Sequence, residues 1–152
     1  MFTLDIILRH ATVDDLELVF NWANDELCRK NSFYTQKLTL DEHTEWFERK
    51  INDDNCMIFI LMNEYIPIGQ IRIEYRDNTG YISYSIDSNY RNMGFGRRII
   101  ELVEEKKEVR KKASILIGKV KYFNVSSQKV FEKLCYEKQC LSEYIEYSKQ
   151  LV

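Results

Sequence analysis

The segment Ile86-Asp87-Ser88-Asn89-Tyr90-Arg91-Asn92-Met93-Gly94-Phe95-Gly96-Arg97-Arg98 constrains this chain more than any other stretch. A strand-like run ends at Ile86, an Arg-x-x-Gly-x-Gly turn follows, and a helix opens near Gly94 with Ile99, Ile100, Leu102 and Val103 as its apolar stripe. Two glycines at a strand-to-helix junction let the backbone bend tightly and let a ligand approach the amides. The first-turn amides of a helix have no intrahelical acceptor, and the helix dipole favours negative charge there. A pyrophosphate is the natural guest. Other phosphate loops fit less well. A dinucleotide turn wants a third glycine where Ile99 stands, and a P-loop wants Gly-Lys-Ser/Thr where Gly96 precedes Arg97-Arg98. Taken alone, two glycines serve equally well to start a helix and nothing more.

The rest of the pattern surrounds this turn with a mixed sheet. Thr3 to Arg9 reads as an opening strand, and Thr12 with Asp15 forms a capping-box signature before Leu16, Val19, Phe20 and Ala23 at helical spacing. Thr39 and Glu42 repeat that signature ahead of Leu40, His43, Phe47 and Ile51. Cys56 to Met62 is an apolar run of strand length. The alternation of Ile66 and Ile68 then switches parity to Ile71, Ile73 and Tyr75, which predicts a bulge near Gly69-Gln70. Gln70, Arg72, Glu74 and Arg76 make the opposite face polar. A turn at Asp77 to Gly80 leads into the strand Tyr81 to Ile86. Ser114 to Val120 reads as a strand, Val125 to Leu134 as a helix and Leu141 to Tyr147 as a last strand. The expected order, βααβββαβαβ, is an α+β-type mixed sheet with helices on both faces, in one domain spanning residues 1–152.

Composition narrows the partners. The net charge of −2 argues against a protein whose main partner is a nucleic acid. Cys28, Cys56, Cys135 and Cys140 form no Cys-x-x-Cys pair, and His10 and His43 add no zinc spacing, so no metal is expected. The start at Met1 lacks the basic and apolar regions of a signal peptide, and no stretch reaches the roughly 20 apolar residues of a membrane span. The expectation is a cytoplasmic protein with reduced thiols and no membrane partner.

The turn and the hairpin before it closely resemble the acetyl-CoA motif of the GNAT superfamily, written Arg/Gln-x-x-Gly-x-Gly/Ala. Asn124, Ser127, Val130, Phe131, Leu134 and Tyr136 fall where that family places an Asn and a helix ending in a Tyr-x-x-Leu-Gly-Phe-like stretch. The resemblance covers essentially the whole chain. It implies an acetyl-CoA site between two splayed parallel strands, here Tyr81–Ile86 and Ser114–Val120. The backbone of Ser85 and Ile86 and the side chain of Asn124 would hold the pantetheine arm. The turn from Arg91 and Asn92 through Met93, Gly94, Phe95, Gly96 and Arg97 would hold the pyrophosphate. Ser127, Lys129 and Arg98 are further candidates for the phosphates or the arm.

On the acceptor side, Trp22, Asn24, Arg29, Asn31, Ser32, His43, Trp46 and Arg72 lie in stretches that resemble acetyltransferases of nucleotide-linked amino sugars in pseudaminic-type sugar synthesis. More loosely, they resemble ribosomal-protein N-terminal acetyltransferases. The first branch implies a small-molecule amine acceptor, a nucleotide sugar, and a homodimer is compatible with it. Such an acceptor wants neutral hydrogen-bonding groups and an arginine or two, which these residues supply. Each has a plainer reading, with the tryptophans and His43 in the core and Asn24 as a helix cap. Direct attack of the amine on the thioester needs a base, for which Glu74 is the candidate, and a proton for the departing thiol. The family's tyrosine acid is replaced here by Phe131, which leaves Tyr136 and Tyr122 as the nearest hydroxyls in sequence.

Overall fold

The computed structural model describes residues 5–152. A seven-stranded mixed sheet runs in the order β1-β2-β3-β4-β5-β7-β6. Its strands are β1 (Ile6–His10), β2 (Cys56–Asn63), β3 (Ile66–Arg76), β4 (Thr79–Ile86), β5 (Ile115–Val120), β6 (Glu137–Cys140) and β7 (Ile145–Gln150). The helices are α1 (Leu16–Ala23), α2 (Glu26–Asn31), α3 (Leu40–Ile51), α4 (Phe95–Glu105), α5 (Lys107–Lys112) and α6 (Val125–Lys133). The part of the opening strand expected at Thr3 and Leu4 lies outside the described residues.

The local signals explain most of these bounds. Thr12 and Asp15 make a reciprocal capping box around a short 3-10 turn that leads into α1, and the Thr39 hydroxyl accepts from the Glu42 amide to start α3. On β3 the register jumps from Leu61↔Gly69 to Met62↔Pro67, so Ile68 is the extra residue of a bulge beside the predicted position. Three elements escape the hydrophobic pattern. Neither α2 nor β6 has a buried residue, and α5 buries Val109 alone. The strand expected at Leu141 starts instead at Ile145, because the Leu141 amide donates to Tyr144 and closes a turn between β6 and β7.

Two apolar layers flank the sheet. Val19, Trp22 and Phe47 from α1 and α3 cover Cys56, Ile58 and Ile60 of β2. The larger core packs Phe95, Ile99, Ile100 and Val103 of α4, Val109 of α5 and Phe131 of α6 on the other face of β2 to β7. Burying a side chain of this size removes about 1.5–3 kcal/mol of exposure cost, which is why these faces fix the register. The one parallel pair among the described residues, β4 with β5, stays in register only from Thr79↔Ile115 to Ile82↔Gly118. Beyond Ile82 the four residues Ser83 to Ile86 of β4 have no β5 partner, and the two strands part.

Candidate active site

The side expected to hold the cofactor is built mainly from backbone. Gly94, the N-cap of α4, has φ +85°, and Asn92 just before it has φ +62°, so the turn passes through the left-handed region that glycine tolerates best. The first backbone bond of the helix runs from the Arg98 amide to the Gly94 carbonyl. The amides ahead of it are the ones helix geometry leaves without an intrahelical acceptor. A methyl group at Gly96 would come within 3.3 Å of the Tyr84 ring and 3.4 Å of Val130, so the glycine also lets α4 lie close to β4 and α6. Met93 is exposed, and Phe95 sends its side chain into the core.

A groove of about 380 Å³ runs along the helices here, lined by Gly94, Arg97, Arg98, Glu101, Lys129, Val130 and Lys133. Four cations face one carboxylate, which Arg97 already meets at 3.6 Å. A helix N-terminus beside surplus cations suits a ligand with several phosphate charges. Lys133 was not singled out from sequence, although it stands one helical turn after Lys129.

Other residues named for the cofactor are also engaged within the fold. Arg91 donates from Nε to the Ile86 carbonyl at 3.1 Å and pairs with Asp25 at 2.5 Å, so it braces the turn against the start of α2. Burial works against the Asp25 charge, but Arg91 and the Cys28 amide outweigh it and hold the carboxyl below its ordinary range. Asn124 caps α6 by accepting from the Ser127 amide at 3.3 Å. The Ser127 hydroxyl lies 2.9 Å from that of Tyr84, on the unpaired part of β4, and burial pushes Tyr84 up to about 12. Ser85 accepts from Gln70 at 3.0 Å.

The acceptor candidates divide sharply. Arg29 donates to the carbonyls of Ala23, Tyr34 and Gln36 and to the Ser32 hydroxyl, while Asn24 bonds both ways to Leu38 at 2.8 Å. Ser32 in turn donates to Cys28. These three hold the loop 32–39 in shape rather than offer free groups to a substrate, and Asn31 ends α2 beside them. Trp22 is buried and donates its indole N–H to Asp87 at 2.8 Å. His43 is buried among Phe20, Trp46 and Phe47, and burial lowers its pKa against the pull of the Leu16 backbone. It is a neutral packing residue.

Trp46, Arg72 and Glu74 do come together. The Arg72 guanidinium lies 5.1 Å over the Trp46 ring and 3.3 Å from Glu74, which Lys50 meets at 2.5 Å. Burial raises the Glu74 carboxyl, but the Lys50 hydrogen bond and the charges of Arg72 and Lys50 win and leave it lowered. Cross-strand pairing puts Gln70 with Ser85, Arg72 with Ser83 and Glu74 with Tyr81 on one face. That face is the one α1 and α3 cover further along, opposite α4 and α6.

Neither hydroxyl named as an acid reaches this opening. Tyr136 donates to Glu104 at 2.8 Å, near the C-terminal end of α4, about ten residues or 15 Å of helix from Gly94. Tyr122 is exposed and donates to the Leu141 carbonyl. Phe131 lies beside the point of splay, since a methyl on Gly118 would lie 2.3 Å from its ring tip. Its ring stacks on Tyr147 at 5.2 Å and meets Tyr136 edge-on at 5.0 Å.

A strand pair that parts beside a glycine-started helix and a cationic groove defines an acyl-CoA-binding acyltransferase architecture. The sequence matches the acetyltransferase (GNAT) domain over residues 5–136, and the chain belongs to that family; it is an acetyltransferase whose cofactor is acetyl-CoA. A domain from Methanocaldococcus jannaschii DSM 2661 is 25% identical with a TM-score of 0.82, covering 97% of this chain and 99% of that one. Spermidine N-acetyltransferase from Vibrio cholerae, solved with CoA and spermine, is 14% identical with a TM-score of 0.83, covering 98% and 97%. RimL, a ribosomal alpha-N-protein acetyltransferase solved with coenzyme A, is 10% identical with a TM-score of 0.80, covering 99% and 97%. No curated protein sequence matches. Among the described residues no cluster of three or more His, Cys, Asp or Glu could hold a metal, and no helix is long and apolar enough to cross a membrane.

Proposed function

We propose that this enzyme acetylates the amine of a nucleotide-linked amino sugar by direct attack within a ternary complex. The observation that carries the reading is the state of the carboxylates bordering the acceptor face. Asp25 is held by Arg91, Asp87 by the Trp22 indole, and Glu74 by Lys50 and Arg72. None of these three is free to receive a polycation such as a polyamine, and among the described residues Glu146, opposite Lys119, is an unpaired carboxylate on this face, while Gln70, Ser83 and Ser85 offer neutral hydrogen-bonding groups and Arg72 a charge.

Acetyl-CoA supplies the activated thioester, and the chain supplies placement and proton traffic. The first turn of α4 and the cations of Arg97, Arg98, Lys129 and Lys133 would hold the phosphates, and the free edge of Ser83 to Ile86 the arm. Glu74 is the proposed proton acceptor, acting through water. Lys50 and Arg72 hold its carboxyl below the ordinary range, so it stays ionised and acts by orienting the water that carries the amine proton to solvent. Burial makes Tyr84, the hydroxyl within the opening, a weaker acid than an ordinary tyrosine, and a thiolate whose conjugate acid has a pKa near 8.5 can leave without prior protonation. The departing sulfur therefore takes its proton from solvent.

Thiol release from acetyl-CoA with a panel of acceptors tests the reading. Nucleotide-linked amino sugars should give kcat/KM at least tenfold above plain amino sugars, spermine and ribosomal N-terminal peptides. Faster turnover of the peptides would replace this reading with N-terminal protein acetylation.

A further inference from the structure

The loop that Arg29 and Asn24 hold in shape does not end on its own helix. It reaches across to the far side of the β4–β5 opening, where the Phe33 ring meets Tyr144 edge-on at 5.6 Å. Three lysines gather around that crossing. Lys119, on β5, lies 5.3 Å over the Tyr81 ring and 5.5 Å over Tyr144. Lys121, just past β5, lies 5.8 Å from Phe33 and 5.5 Å from Phe123, and donates to the Lys30 carbonyl at 3.2 Å. Lys30 itself sits 5.6 Å over Phe123.

Two facts make this rim unlike an ordinary solvated surface. Among the described residues none of the three lysines is in an ion pair; even Glu146, opposite Lys119 in register, is not engaged. The rings they cover are left open, Phe33 at 57% and Phe123 at 53% exposure. Like charges gathered beside exposed rings are relieved by a ligand that brings both negative charge and a flat face. A nucleotide is that ligand, because a base stacks on an aromatic ring whatever its identity while phosphates answer the cations. Tyr81 places the rim on the same sheet face as Gln70, Arg72 and Ser83, opposite the groove between α4 and α6.

We propose that Lys30, Lys119 and Lys121, with Phe33, Phe123 and Tyr144, form the seat of the acceptor's nucleoside diphosphate. The diphosphate lies among the lysines and the base on the exposed rings, and the sugar amine extends toward the Gln70–Ser85 row. This assignment rests on the nucleotide-sugar reading above. It makes the enzyme bind two nucleotides on opposite faces of one sheet.

The test is calorimetric titration of uridine and adenosine diphosphates into protein saturated with coenzyme A, so that the groove between α4 and α6 is already filled. Binding of either diphosphate that weakens at least tenfold in the Lys119→Met/Lys121→Met variant is the expected result. Phe33→Ala should weaken it by a similar factor. The affinity for coenzyme A and the melting temperature should stay within error, which shows that the variants fold. Where the double variant does not fold, shifts of the Phe33 and Tyr144 ring resonances on adding the diphosphate to the wild type decide instead. No binding to the saturated protein, unshifted rings, or equal affinity in a folded double variant overturns the seat. The two readings fail separately. Diphosphate binding without turnover of any nucleotide-linked amino sugar would sink the acceptor assignment and leave the seat. Turnover of such a sugar unaffected by the double substitution would do the reverse.

Discussion

On the α4–α6 face the binding features belong to the main chain: a left-handed Gly94, the first turn of α4, and the stretch of β4 that β5 abandons after Ile82. On the α1–α3 face they belong to side chains, and most of the polar ones are already spent. Arg29 and Asn24 hold a loop, Trp22 holds Asp87, and Lys50 and Arg72 hold Glu74. A donor or acceptor that the fold itself uses is not available to a substrate, and withdrawing it leaves its partner unsatisfied. One face thus presents the main-chain frame proposed for the cofactor, and the other presents whatever the loop 32–39 leaves uncovered.

The comparison breaks most visibly at Gly96. A valine there would press on Tyr84 and Val130, already only 3.3 and 3.4 Å from a methyl group, and crowd the first turn of α4. At about 100 times its Kd, acetyl-CoA should stabilise the wild type by about 2.7 kcal/mol, a rise of roughly 5–10 °C in melting temperature. Gly96→Val should lose that rise entirely. A full rise in the variant would mean that the phosphates are held elsewhere.

Arg29→Ala sharpens the other side. It removes a charged donor from three carbonyls, so it should cost about 2 kcal/mol, read as a drop of about 4–8 °C. If Arg29 gripped substrate instead, the variant would melt normally and show a raised acceptor KM alone.

These two residues also show what a sequence makes legible. The glycine turn ahead of α4 could be read because a positive φ restricts residue type, and glycine at that spacing is visible in one dimension. The acceptor candidates had the right chemistry, but hydrogen-bond partners fourteen residues away, as for Asn24 and Leu38, leave no local trace. The same holds for Arg91 and Asp25, and for Lys119 and Tyr144, which only the folded sheet brings together. Strand β6 was unreadable for another reason: with every residue exposed it has no apolar alternation to betray it.

A smaller effect tests His43 as packing rather than catalysis. Its folded pKa is lowered by burial, so its contribution to stability is complete above the unfolded value of about 6.5 and is lost as pH falls through the lower folded value. Stability should decline on acidification from about pH 7, by at most about 1.4 kcal/mol per pH unit from this group. His43→Phe should flatten that decline and leave kcat within threefold near pH 7.5. A hundredfold loss of kcat with an unchanged acid slope would restore a catalytic role.

The smallest change concerns the end of α6. Cys135 has φ +65° where the family carries glycine, and it closes a Schellman motif: its amide donates to Glu132 and that of Tyr136 to Phe131. Cys135→Gly should relieve about 1 kcal/mol of left-handed strain and raise the melting temperature by about 2–4 °C. A drop would show that the thiol packs to more purpose than its exposure implies.

The central claim is that the cofactor lies between the parting strands on the first turn of α4, on a frame independent of the acceptor loop. Amide hydrogen exchange with and without acetyl-CoA tests this most directly. The account predicts slowed exchange at residues 83–86 and 94–98, with residues 24–38 unchanged. Protection of 24–38 equal to that of the turn, or none at the turn, would contradict it.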